Sequence, residues 1–148
     1  MNDYLKSITP SVVDYLIQAE EEFNLLKLDS QEAIAASNWL EGNFPIASWG
    51  RIAWNEVIQS SCTTWIDTSE LLSAFEKIIV ENKLEGSVIV LWTNALKPPI
   101  RIKLSVLLNY SQAIFEEDWD TWVYSEEYKW CIEVFHDGEI CFGVNLNK

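Results

Sequence analysis

The residues of this chain that could do chemistry are few and scattered. There is one histidine, His136, and there are three cysteines, Cys62, Cys131 and Cys141. A thiol beside an imidazole that a carboxylate orients is the arrangement of a nucleophilic enzyme, and Cys141, His136 and Asp137 can be drawn as such a set. A histidine beside a tight turn is more simply a solvent-facing hairpin residue, so no catalytic residue is assigned. One histidine and three separated cysteines match no structural zinc spacing. A calcium loop needs alternating acids and a glycine at its sharp bend, and Glu116-Glu117-Asp118-Trp119-Asp120 has the acids without the glycine. GxGxxG, GxxxxGK and GxSxG are absent, which removes the nucleotide and hydrolase fingerprints. Carboxylate pairs for glycoside hydrolysis occur in any acidic chain and carry no weight by themselves. The expectation is a protein with no metal, no cofactor and no catalysis.

One segment does stand out. Glu116–Glu127 reads EEDWDTWVYSEE, with six carboxylates, no Lys or Arg, and three large aromatics between them. A solvated loop has no need of such rings, and a core does not tolerate such charge. Together they suit a surface that holds a basic protein: charge steers the encounter and rings anchor it. The expected partner-binding residues are Glu116, Glu117, Asp118, Trp119, Asp120, Trp122, Tyr124, Glu126 and Glu127. Trp119, Trp122 and Tyr124 form the centre, and Glu126 and Glu127 the rim. Of the other tryptophans, Trp54, Trp65 and Trp92 sit in apolar sequence and read as core, whereas Trp39 and Trp49 flank the Gly42–Pro45 loop.

The balance of 23 acids against 10 bases gives a formal charge of −13. Nucleic acid is disfavoured as a ligand, because phosphate binding runs on Lys and Arg displacing counterions. Anionic membrane surfaces are disfavoured for the same reason, and no apolar run is long enough to span a bilayer. The opening residues, MNDYLKSITP, lack the basic and apolar regions of a signal peptide. An odd number of cysteines without metal-like spacing suits a reducing compartment. The expected location is cytoplasmic.

The elements that must position these residues can be read from periodicity. A length of 148 residues with 49% hydrophobic content is one globular domain. Thr9-Pro10 starts a helix over 10–26, with Val12, Leu16, Ala19, Phe23 and Leu26 at helical spacing. A second helix runs from Ser30 to Leu40. Trp49–Ile58 alternates and reads as a strand. Helix 69–82 follows the capping groups of Asp67-Thr68-Ser69-Glu70. Ser87–Thr93 is a central strand, Ile100–Leu104 a short edge strand, and Leu104–Phe115 a helix. Strands at Trp119–Tyr124 and Lys129–Phe135 lead to a hairpin, where Asp137-Gly138 signals a two-residue turn. That register pairs Phe135 with Ile140, Val134 with Cys141 and Glu133 with Phe142, and sets Cys131 and Cys141 on opposite faces. The fold class is α+β: a single domain, with N-terminal helices packed on a mainly antiparallel sheet that ends in a C-terminal β-hairpin.

A small acidic domain, rich in tryptophan and free of cofactor motifs, that closes on YKWCIEVFHDGEICFGVN (Tyr128–Asn145) resembles the immunity proteins of bacterial polymorphic toxins, including contact-dependent growth inhibition systems. The resemblance implies stoichiometric neutralisation of a cognate toxin domain, commonly a basic nuclease, by covering its active or substrate-binding surface. A general protein-interaction domain and a Trp-rich carbohydrate- or small-ligand-binding domain are the other readings. The first lacks a toxin neighbour; the second needs a deep apolar pocket with converging carboxylates.

Overall fold

The apolar stripe of the N-terminal segment does not continue as one helix. In the computed structural model, which describes residues 7–48 and 50–145, α1 spans Val12–Gln18 and β1 follows at Phe23–Leu25. The helix expected over 10–26 is stopped by Glu20, whose φ is +57°. Glu20 N–H donates to Ile17 O and Glu21 N–H to Leu16 O, which closes a Schellman motif without the glycine that normally announces one. Phe23 and Leu25 still face apolar neighbours, but as strand residues.

The remaining elements are α2 (Gln31–Asn43), β2 (Gln59–Thr64), α3 (Thr68–Glu81), β3 (Ser87–Trp92), β4 (Ile100–Lys103), α4 (Leu104–Leu107), α5 (Ser111–Phe115), β5 (Thr121–Ser125), β6 (Trp130–Phe135) and β7 (Glu139–Val144). Two helix starts follow their capping residues: Ser30 accepts from Ala33 N–H, and Asp67 from Glu70 N–H. The strands form one antiparallel sheet in the order β1-β4-β3-β5-β6-β7-β2. The α+β class and the C-terminal hairpin are therefore as expected. β4 is not an edge, because β1 pairs along its outer side.

Of the strand expected over 49–58, the described residues 50–58 are not a strand. Within that range, Trp54–Glu56 forms a 3-10 turn and Ile52 makes one isolated bridge to Ile46, and the strand starts only at Gln59. The alternation in the sequence is real but belongs to a loop that plugs Ile52 and Trp54 into the core, both being buried. Trp54 packs against β7 because Gly143 carries no side chain; a Cβ there would lie 2.5 Å from its ring.

Both faces of the sheet are covered, which explains why its middle strands lack simple alternation. On one face, α1, α3 and α4–α5 bury Leu16, Phe75 and Ile114 against Val90, Val123 and Ile132. On the other, α2 and the 44–57 loop bury Ala36, Phe44 and Trp54 against Leu91, Tyr124 and Cys131. Trp54 and Trp92 are core residues as expected, and Trp65 packs against the first cluster. Trp39 stacks on Tyr124 at 4.3 Å between centroids. Trp49 lies outside the described residues.

The hairpin exists, shifted by one residue. Phe135 pairs with Glu139, Val134 with Ile140 and Glu133 with Cys141, leaving a three-residue loop at His136–Gly138. Gly138 takes φ +97°, and its N–H donates to Phe135 O at 3.1 Å. The slip moves every partner of β7 by one position and so reverses a face assignment. Cys131 and Cys141 lie on the same face, yet Cys141 is bonded to Cys62, across the β2–β7 pair. Cys131 is free and buried. The expectation of a reducing environment rested on an odd number of cysteines without metal-like spacing; Cys62 comes opposite Cys141 only because residues 59–64 form a strand beside β7.

Candidate functional site

The acidic segment of 116–127 is divided between the two ends of β5. At its start, most of the carboxylates are already engaged. Glu117 accepts Ser11 N–H at 2.7 Å and pairs with Lys97 Nζ at 2.9 Å. Asp118 accepts Asn94 N–H at 2.8 Å, and Asp120 is buried and accepts His136 N–H at 2.8 Å. These groups fasten the 93–97 loop and the hairpin loop to the start of β5. Glu116 is exposed, and its carboxylate accepts from Gln112 Nε2. At the far end of β5, Glu126 pairs with Arg101 at 3.0 Å, and Glu127 is exposed. Five strand residues separate Asp120 from Glu126, which sets them roughly 20 Å apart along the chain, so the segment does not present one continuous patch.

The rings divide as well. Tyr124 is fully buried, and its hydroxyl donates to Ala36 O at 2.8 Å; burial raises the pKa of that phenol well beyond its usual range. Trp122 is half-buried and donates its indole N–H to Glu133. Only Trp119 is open, 70% exposed.

Trp119 is not loose. Its ring lies 4.7 Å from the ring of His136, between centroids, and His136 lies 4.7 Å from Phe135. Asp120 holds the imidazole, with Oδ1 at 2.9 Å from Nδ1. The Arg51 guanidinium then sits 4.3 Å above the Phe135 ring. A ladder of Trp119, His136, Phe135 and Arg51 therefore runs across this end of the sheet, with Asp137 and Glu139 on its flank. Rings packed in this way, tilted against one another, are pre-ordered, so a partner need not immobilise them on binding.

Arg51 belongs to a second, deeper set. Glu133 is 0% exposed and accepts from Trp54 Nε1 at 2.8 Å, Trp122 Nε1 at 2.9 Å, Ile52 N–H at 2.9 Å and Arg51 at 3.0 Å. Arg51 also reaches Glu139 at 2.8 Å and Asp137 at 3.4 Å. Burial works against the guanidinium charge, but Glu133 and Glu139 outweigh it and the Arg51 pKa is raised. A buried charge with every lone pair answered is what the interior requires. This set pins the 44–58 loop to β6.

Arg51, Glu133, Phe135 and His136 were not among the expected site residues. The signal for Glu133 was present, since it is the lone charge within the apolar run WCIEVF. For the others the sequence offers no signal, because Trp119 and His136 meet only once β5 and β6 are paired.

Other chemistry is not assembled among the described residues. His136 is oriented by Asp120 rather than Asp137, and Cys141 is committed to its disulfide. Ligand atoms of Cys62, Glu139 and Cys141 lie within 4.8 Å of one another, but the two sulfurs are joined and offer no thiolate. A surface depression of about 560 Å³ is lined by Arg51, Trp54, Glu56, Cys62 and Glu139 among others. Trp54 is buried there and shows no open ring face for a sugar. No helix among the described residues is long and apolar enough to cross a membrane.

No curated protein matches the chain. The family model described as CdiI immunity protein EcoliA0-like matches residues 16–143, nearly the whole α+β domain, and the chain belongs to that family.

Proposed function

We propose that the chain neutralises a basic nuclease toxin domain by covering its active or substrate-binding surface with the end of the sheet that carries Trp119. Family membership supplies the toxin as partner. The observation that supports this surface is Trp119, 70% exposed yet seated against His136. Large exposed rings held in place are the usual anchors of tight protein interfaces. Around it, Glu116, Asp137 and Glu139 supply negative charge, and the total of −13 favours fast encounter with a cationic domain. Glu117, Asp118 and Asp120 act mainly by holding the loops, Trp122 and Tyr124 by packing, and Glu126 and Glu127 remain a separate acidic rim. The protein does this in the cytoplasm and without catalysis.

Co-expression with the toxin domain encoded immediately upstream tests the reading, scored for rescue of growth. Rescue is expected, and Trp119→Ala should weaken binding by about 2 kcal/mol or more, seen as faster dissociation. Failure of the wild-type chain to rescue or bind would overturn the function. An unchanged affinity for Trp119→Ala, with normal folding, would overturn the surface.

A further inference from the structure

We infer that β2 is a docking edge, to which an extended, uncharged-to-basic segment of the toxin adds as an eighth strand. The two edges of the sheet differ sharply. β1 has three residues and is flanked by Glu22, whose carboxylate reaches Lys103. β2 has six, QSSCTT, all exposed. It contains no charge and no proline, the devices that ordinarily blunt an edge, and neither helix layer covers it. Ile58 and Ile66, just beyond its two ends, are 85% and 87% exposed.

The register shows which backbone groups are open. The Cα atoms of Cys62 and Cys141 are 4.1 Å apart, the close spacing of a non-hydrogen-bonded pair. Alternation then turns the N–H and C=O of Ser60, Cys62 and Thr64 outward, and those of Ser61 and Thr63 toward β7. Trp65 N–H, next in the inward series, donates to Gly138 O at 2.8 Å, as this parity requires. Three residues therefore present a ready hydrogen-bonding row to an incoming strand.

Charge selects the occupant. Residues 56–70 contain no Lys or Arg, and Glu56, Asp67 and Glu70 lie beside the strand. Glu139 pairs opposite Thr64, and Asp137 sits in the loop that Trp65 touches. Arg51 is already neutralised by Glu133, Asp137 and Glu139. A second copy of this chain would bring two such acidic frames together, whereas a basic segment would be drawn in. The Trp65–Gly138 bond also joins the edge to the loop bearing His136, so the added strand would be continuous with the Trp119 surface. The inference rests on the immunity reading for its partner.

Thr64→Pro removes one outward N–H and no ladder bond, and its ring obstructs the incoming strand. With the upstream-encoded toxin domain as titrant, its affinity should fall about tenfold or more, while Thr64→Val should bind as wild type. By nuclear magnetic resonance, amide exchange at Ser60, Cys62 and Thr64 in the wild-type chain should slow roughly tenfold or more in the complex. If wild type does not bind the toxin, the immunity reading has failed. If wild type binds but those three amides stay fast, the edge proposal is overturned and the immunity reading stands. If the free chain is a dimer with those amides already protected, a second copy is the occupant and the proposal is again overturned.

Discussion

Replacing Glu133 by Gln should be far more damaging than the near-identity of the two side chains suggests. Oε1 accepts from Trp54 Nε1 and Arg51, and Oε2 from Trp122 Nε1 and Ile52 N–H. An amide has one acceptor oxygen and one donor nitrogen. Whichever way it flips, its NH2 faces two N–H donors and at least two charge-assisted bonds vanish, each worth about 1.5–3 kcal/mol. The Arg51 charge is left without its buried counterion as well, so the expected loss is about 3–5 kcal/mol. Arg51→Met should cost less, because Glu133 keeps its three other donors. Urea unfolding followed by tryptophan fluorescence would measure both, since Trp54 and Trp122 report on the site directly. An unchanged denaturant slope would confirm that stability, rather than the unfolded state, has moved. A loss below about 1 kcal/mol for Glu133→Gln, within the range of ordinary surface changes, would refute the picture of a fully committed carboxylate.

Two further outcomes follow from the sulfur and hydroxyl chemistry. Cys62 and Cys141 close a loop of 79 residues, and the chain-entropy effect of such a crosslink is about 4.5 kcal/mol. Reductant should therefore lower wild-type stability by up to that amount and leave Cys62→Ser unchanged; equal responses of the two proteins would refute the crosslink. Burial raises the pKa of both the Cys131 thiol, from an ordinary 9.0, and the Tyr124 hydroxyl, from 10.0. Above about pH 9 the unfolded chain therefore holds fewer protons than the folded one, so stability should fall as pH rises and be flat, for these two groups, below it. Unfolding measured between pH 8 and 11 on the Cys131→Ala variant should show a shallower decline than wild type.

Much of the fold was legible because burial leaves a local trace. Asp67 announced α3, since a capping oxygen sits next in sequence to the amides it serves. SVIVLW announced β3, since a strand covered on both faces has no polar side to show. The misreadings share one cause. Glu20 adopts a left-handed conformation that no glycine advertises, Ile52 and Trp54 alternate in a loop, and the hairpin slips by one residue because Trp65 and Asp120 hold its loop from outside. Each is decided by groups distant in the chain.

The same division holds for the site. An acidic, Trp-rich, mainly antiparallel α+β domain could be read from local residues alone, because charge, composition and periodicity are sums over them. The sequence also drew attention to Glu116–Glu127. Which of those residues are available was settled by packing between elements distant in the chain. Pairing β5 with β6 turned Tyr124 and Trp122 inward to α2 and Glu133, spent Glu117, Asp118 and Asp120 on neighbouring loops, and left Trp119 against His136. Exposure depends on what packs from elsewhere in the chain, and a run of residues cannot carry that information within itself.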